Sequence, residues 1–203
     1  MLVPASDEEL AARQSALHAA ADELLDELDQ SRVFADLGPL RITGSYISEL
    51  MCWRDLDVGL LVGPEYAPRD VVQLISRVVT LPGVVGFDYR DERGDRCPTG
   101  QVRDERYHVP FLLDRAEGTW RFDLSLWLHD PHENVTSWHQ GLRASITDGQ
   151  RAAILRIKDV WHQLPSYPDH VGGLEIYAAV IDDGARTPEQ FRRWLADHGL
   201  PEM

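Results

Sequence analysis

Apolar positions along this chain follow two rhythms. From Ser6 to about Leu28, Leu10, Leu17, Ala21, Leu24, Leu25 and Leu28 fall on one stripe of a helix. Ser6 with Glu9 three residues on has the form of a capping box. Leu37-Gly38-Pro39 then breaks the chain. Pro39 to Thr43 reads as a first strand, and Ser45 to Cys52 as a short helix. From Asp55 the period drops to two. Leu56, Val58, Leu60 and Val62 face one side, and Asp55 and Asp57 face the other, as in a strand with one buried face.

The same alternation of helix and strand continues. Asp70 to Thr80 predicts a helix and Val84 to Tyr89 a third strand. Tyr107–Leu113 and Thr119–Leu128 predict a hairpin across Asp114–Gly118. In its second arm Phe122, Leu124, Leu126 and Leu128 share one face; Arg121, Asp123, Ser125 and Trp127 share the other. The last third is helical. Thr147 with Gln150 caps one helix reaching about Leu164, a second carries Leu174, Tyr177, Ala178 and Ile181 up to Gly184, and Thr187-Pro188 opens a third. The expected class is α/β: a small mixed sheet with helices on one side, followed by a helical C-terminal portion. A composition shift between Asp130 and Thr147 divides the chain into a core, 1–135, and a helical region, 136–203.

Composition narrows the classes. At 203 residues with 43% hydrophobic and 27% charged positions, the chain has material for one core with an appendage. No apolar run has the length of a membrane span, and the first residues lack a leader pattern. Two isolated cysteines, Cys52 and Cys97, fit a reducing compartment, so a cytoplasmic location is expected. A net charge of −14 argues against a nonspecific nucleic-acid binder and is compatible with a cationic small molecule.

Two carboxylates side by side on one strand face repel each other unless a cation sits between them. Asp55 and Asp57 make such a pair, and oxygen ligands with an open side suit Mg²⁺. Asp123 is a third acid in mid-strand, where aspartate is disfavoured. Gly44-Ser45 reads either as a turn with Ser45 capping a helix, or as a glycine that lets a phosphate approach backbone N–H groups. Lys158, the only lysine, stands at the edge of an apolar stripe. Exposure is the ordinary state of such a residue; the alternative is a packed stem with its ammonium in a cleft. The 90–106 connection holds five arginines and five acids, and reads as a mobile surface loop or as a lid over substrate. His129, His132 and His139 form no zinc-ligand framework and have no assigned role.

Gly44-Ser45, a gap of nine residues, Asp55-Leu56-Asp57 on a strand and Asp123 on a later strand resemble the signature of the nucleotidyltransferase superfamily related to DNA polymerase β, which includes antibiotic nucleotidyltransferases and tRNA-modifying toxins. The resemblance covers the first two-thirds of the chain. It implies two Mg²⁺ ions held by Asp55, Asp57 and Asp123, with Asp123 completing the second site or taking the proton from the attacking hydroxyl. Gly44 and Ser45 would hold phosphates, and Lys158 would bind the nucleotide. The implied co-substrate is a nucleoside triphosphate, ATP foremost, and the implied acceptor a small hydroxylated molecule. Alternatives are transfer to tRNA, or a degenerate member that binds nucleotide without catalysis.

Overall fold

A computed structural model describes residues 5–130, 132–168 and 170–201; the side chains of residues 132–134 lie outside the described set. The chain opens with α1 (Asp7–Ser31), capped as expected: Ser6 Oγ accepts from the Glu9 N–H, and the Glu9 carboxylate accepts from the Ser6 N–H. Next come β1 (Arg41–Ile42), the single turn α2 (Gly44–Ile47), β2 (Asp55–Leu61), α3 (Pro68–Val78), β3 (Val84–Phe87) and β4 (Arg90–Glu92). Two 3-10 turns, Gly94–Arg96 and Val102–Asp104, lead into the hairpin of β5 (Arg106–Arg115) and β6 (Gly118–Trp127). Helices α4 (His132–Ser145), α5 (Asp148–Trp161), α6 (Gly173–Ile181) and α7 (Pro188–Asp197) complete the chain.

The sheet order is β1-β2-β6-β5-β3, with β4 also paired to β5. Among the described residues β2 and β6 run parallel and the other strand pairs antiparallel, so the sheet is mixed as expected. One face is apolar. Leu56, Val58 and Leu60 of β2, Phe122, Leu124 and Leu126 of β6, and Tyr107, Val109, Phe111 and Leu113 of β5 pack under α1 and α3. At roughly 1.5–3 kcal/mol for each large side chain buried, this face anchors the sheet. It also fixes register, because a one-residue slip would turn every leucine outward. The opposite face therefore carries the polar set.

A second cluster joins α5, α6 and α7 around Ile154, Ile157, Trp161, Ile176 and Phe191. Leu10 from α1, and Leu50 and Cys52 before β2, belong to this cluster too. Helix α1 thus packs on the sheet through Leu17, Ala21, Leu24 and Leu28 and on the helices through Leu10. Arg156 grips Asp7 through two donors from its Nη2, at 2.6 and 2.7 Å, and Arg13 pairs with Asp159, tying α1 to α5.

Three local expectations shift. The short helix after Gly44 stops at Ile47, since Ser48 caps it and Glu49 takes a left-handed conformation at φ 54°. The 90–106 connection is not a plain loop. Several of its arginines find acids within the segment: Arg93 and Arg96 on Asp91, and Arg106 on Glu92. The stretch following β6, for which no element is predicted, contains α4, which runs through positions 135 and 136.

Candidate active site

The site grows from the parallel pairing of β2 and β6. Asp57 lies opposite Asp123, and Asp55 opposite Arg121, all on the face turned away from the core. The alternation that buries Leu56, Val58, Phe122 and Leu124 forces these four charged side chains to the same side. The three aspartates, 66 residues apart in sequence between Asp57 and Asp123, become neighbours through one register.

Gly44 closes this face. Its φ is +66°, and a Cβ there would overlap the Asp57 carboxylate. The Thr43 N–H donates to the Asp57 carbonyl at 3.0 Å, which locks the Gly-Ser turn against β2. Ser45 gives no side-chain cap to α2; the cap position is Thr43, and it makes no side-chain bond either. Ser45 instead lines the cleft beside Gly44.

The acids differ in their surroundings. Burial, then the charges of Asp57 and Asp123, holds Asp55 well above the ordinary carboxylate range. Burial and Asp123 push Asp57 up to about 6. Burial would raise Asp123 too, but the His108 hydrogen bond and the nearby His108, Arg121 and Arg106 charges outweigh it and hold Asp123 below its usual value. His108 Nε2 is hydrogen-bonded to Asp123 Oδ1, while its Nδ1 lies 3.6 Å from Glu92 Oε1. Arg121 spans the acids: Nη2 donates to Asp123 Oδ2 at 3.3 Å, and Nε is 3.9 Å from Asp55 Oδ1. Asp55 Oδ1 is buried and accepts no hydrogen bond.

These features bear on a cation. Two clustered carboxylates with raised pKa values and one orphaned buried oxygen are what a divalent ion would relieve. The donor set is all oxygen, matching Mg²⁺. Among the described residues no three or more His, Cys, Asp or Glu side chains are arranged as a ready set of metal ligands, and Asp123 is engaged by His108 and Arg121.

Lys158 is only 2% exposed, so the lysine is not on the surface. Its Nζ donates to the Leu50 carbonyl at 2.8 Å and lies 5.0 Å from the Trp53 ring centre and 5.9 Å from that of Tyr177. Burial disfavours its charge, yet Tyr177, Tyr167, Cys52 and Asp55 outweigh burial and hold its pKa above the ordinary lysine value. Trp53 is stacked on His162 at 4.7 Å and meets Tyr167 edge-on. This aromatic wall and the acids enclose a cleft of about 700 Å³, floored by Gly44, Ser45, Asp55, Asp57 and Asp123 and walled by Trp53, Trp138 and Tyr177. His139 lines it, with a pKa lowered to about 4 by burial and then Lys158, so its imidazole is neutral at neutral pH.

A second cavity of about 510 Å³ also opens at the acids. Asp57, Asp123, Arg121 and Thr43 line both cavities, while Asp55, Gly44, Ser45 and Lys158 line only the first. His129, at the end of the hairpin, lies 3.9 Å from Glu105 and lines neither. Its neighbour Asp130 meets Arg41. The His132 side chain lies outside the described residues.

The structure therefore brings together Gly44, Ser45, Asp55, Asp57, Asp123 and Lys158. Sequence reading missed His108, the particular place of Arg106 among the arginines of the 90–106 connection, and the aromatic wall. A signal for the first two is present: Arg106 and His108 are the polar members of the alternation in β5, on the face opposite Tyr107 and Val109. The wall gives no such signal, since Trp53, Tyr167 and Tyr177 come from separate segments.

No protein-family model matches the sequence, and no curated protein matches it. Among solved structures, the fold is similar to Cid1 poly(U) polymerase with Mg and 3′-dATP bound, at 15% identity and a TM-score of 0.45 over 78% of this chain and 43% of that one. It is also similar to the non-canonical poly(A) polymerase complex GLD-2–GLD-3, at 11% identity and a TM-score of 0.49 over 85% of this chain and 57% of that one. A cytoplasmic RNA terminal U-transferase is similar at 14% identity and a TM-score of 0.44, over 75% and 41%. This chain thus spans less than two-thirds of each of these proteins.

Proposed function

We propose that this protein transfers a nucleoside monophosphate from a nucleoside triphosphate, ATP first among candidates, to a hydroxyl of an acceptor of small-molecule size, releasing pyrophosphate. The observation that carries the reading is the register placing Asp57 opposite Asp123, with Asp55 two residues before it, at the junction of two cavities.

Asp55 and Asp57 would hold Mg²⁺, with Asp123 beside them. A bound divalent ion supplies charge neutralisation at the phosphates and at the attacking oxygen. The chain's own groups do the rest. Gly44 leaves room beside Asp57 that no other residue would, and Ser45 offers a hydroxyl donor. Lys158 brings a buried positive charge to the wall of the same cleft, where a triphosphate gains most from it. The aromatic wall offers flat apolar surface to a nucleobase. In the transfer itself, the acceptor oxygen bonds to the α-phosphorus as the bond to the bridging oxygen of pyrophosphate breaks. The hydroxyl proton moves to Asp123, which is ionised at the start of the step and lines both cavities. With its α-phosphate at the acids, the triphosphate occupies the first cavity.

The test is incubation of purified protein with Mg²⁺ and each α-labelled nucleoside triphosphate, with hydroxylated small molecules in one arm, total tRNA in another and no acceptor in a third. Label on a small molecule supports the reading. Label on tRNA alone would overturn the small-molecule acceptor. Absence of both transfer and Mg–nucleotide binding would overturn the enzyme assignment.

A further inference from the structure

An in-line displacement places the entering hydroxyl and the leaving pyrophosphate on opposite sides of the α-phosphorus. Here Asp57 and Asp123, which would lie beside that phosphorus, line two cavities. The pyrophosphate belongs with Gly44, Ser45 and Lys158 in the first, so the acceptor belongs in the second. This argument rests on the nucleotidyl-transfer reading.

The lining of the second cavity describes its occupant. Its ionisable groups are Arg90, Arg106, Arg121 and His108 with Glu92, Asp57 and Asp123, of which Arg121, Asp57 and Asp123 also line the first cavity. In a chain with 34 acidic and 20 basic side chains, three arginines facing three acids is a local enrichment in positive charge. Arg106 is held in place: Nε donates to Glu92 at 2.6 Å, Nη1 donates to Ser125 at 2.8 Å, and its guanidinium lies 5.0 Å from the Trp127 ring centre. Arg90 sits at the mouth, half exposed, with Nε 3.1 Å from the equally exposed Asp88. A surface pair of that kind is worth little, so the guanidinium can turn to a better anion. Arginine's fork of donors suits a phosphate.

We propose that the second cavity is an acceptor subsite for a hydroxyl compound that also carries a phosphate ester, with the hydroxyl at Asp57 and Asp123 and the phosphate on Arg90 and Arg106. This reverses the expectation of a cationic acceptor drawn from net charge, because the local lining, not the total, meets the ligand. The same chemistry is offered by a small sugar phosphate and by the terminal nucleotide of an RNA.

The experiment pairs each phosphate-free acceptor with a phosphate-bearing counterpart. Ribose is compared with ribose 5-phosphate, and adenosine with a short oligoadenylate, using α-labelled nucleoside triphosphate and Mg²⁺; Mg–nucleotide affinity is measured separately by calorimetry. The phosphorylated member of at least one pair is expected to be labelled at least tenfold faster, and which pair responds distinguishes the small molecule from the RNA end. Arg90→Glu is expected to raise the KM of that acceptor at least tenfold, with the Kd of Mg–nucleotide within twofold. Because Arg90 is exposed, the variant keeps the fold. Equal labelling within both pairs, no labelling of either phosphorylated acceptor, or an unchanged KM in Arg90→Glu overturns the subsite. If Mg–nucleotide binding is intact in those cases, the nucleotidyl-transfer reading survives; if it is absent, both fall.

Discussion

Gly44 and the Asp57 carboxylate are packed so closely that a single added carbon on the glycine would occupy the carboxylate's place. The positive φ of Gly44 compounds this, because an L side chain is strained there by about 1–3 kcal/mol. Gly44→Ala is therefore expected to lower stability by about that amount and to displace Asp57. Thermal melting would show the first effect, and a fall in Mg–nucleotide affinity of at least tenfold would show the second. An alanine variant with both unchanged would mean that Asp57 has room elsewhere and that the Gly-Ser turn does not shape the site.

Asp57 gives the metal-free protein a pH signature. Its ordinary value is 3.8, and burial with Asp123 raises it to about 6 in the fold. Between those values the folded state holds a proton that the unfolded chain has lost, so stability falls as pH rises through this window. Asp123, held low by His108 and the arginines, has the opposite sign and loses its contribution as pH falls. The comparison of wild type with Asp57→Asn isolates the first effect. The variant is expected to melt higher than wild type at pH 7, by an amount on the order of 2–3 kcal/mol, and to lose that advantage near pH 4. Millimolar Mg²⁺ is expected to raise the melting temperature of wild type more than that of the variant. Melting curves that coincide across pH 4–7 would remove Asp57 from the repelling set.

Asp55→Asn and Asp123→Asn are expected to fold and to lose transfer by on the order of 10²–10³-fold. Asp123→Asn should do so with less loss of Mg–nucleotide binding than Asp55→Asn, because Asp123 also faces the second cavity. Single-turnover rates alongside calorimetry make the distinction. Normal turnover in either variant would take that residue out of the mechanism.

Lys158→Met keeps the buried stem and removes the ammonium. Losing the bond to the Leu50 carbonyl is expected to cost about 1–3 kcal/mol of stability. Loss of the charge is expected to weaken nucleotide triphosphate binding about tenfold or more, with a smaller effect on the nucleoside monophosphate. Equal affinity of wild type and variant for the triphosphate would make Lys158 a structural lysine that only secures Leu50 and Trp53.

What could be read from sequence follows how local each signal is. The capping boxes Ser6–Glu9 and Thr147–Gln150 are complete within four residues, and both helices start where those boxes place them. Asp55, Asp57 and Asp123 were legible because alternation in β2 and β6 is a period-two pattern, although their juxtaposition depends on a parallel register that no local pattern encodes. Strand Pro39–Thr43 shortens to two residues and β6 ends at Trp127, as pairing partners decide where a strand ends. Helix α4 was illegible, since its 14 residues include Gly141, several β-formers and no clean apolar stripe. The burial of Lys158 was equally hidden. Its partners Leu50, Trp53 and Tyr177 come from the segment before β2 and from α6, brought together only by packing.

Helix α1 behaves as a splint. Its first turn is fastened to the C-terminal helices by Leu10 and by the Asp7–Arg156 pair, and the rest of its length is glued to the sheet. The two walls of the cleft therefore share one rigid rod with no joint between them. Any change in the separation of sheet and helices would have to bend that rod or break its fastenings. Deleting the first two turns of this rod would unfasten one wall while leaving every acid of the site in place.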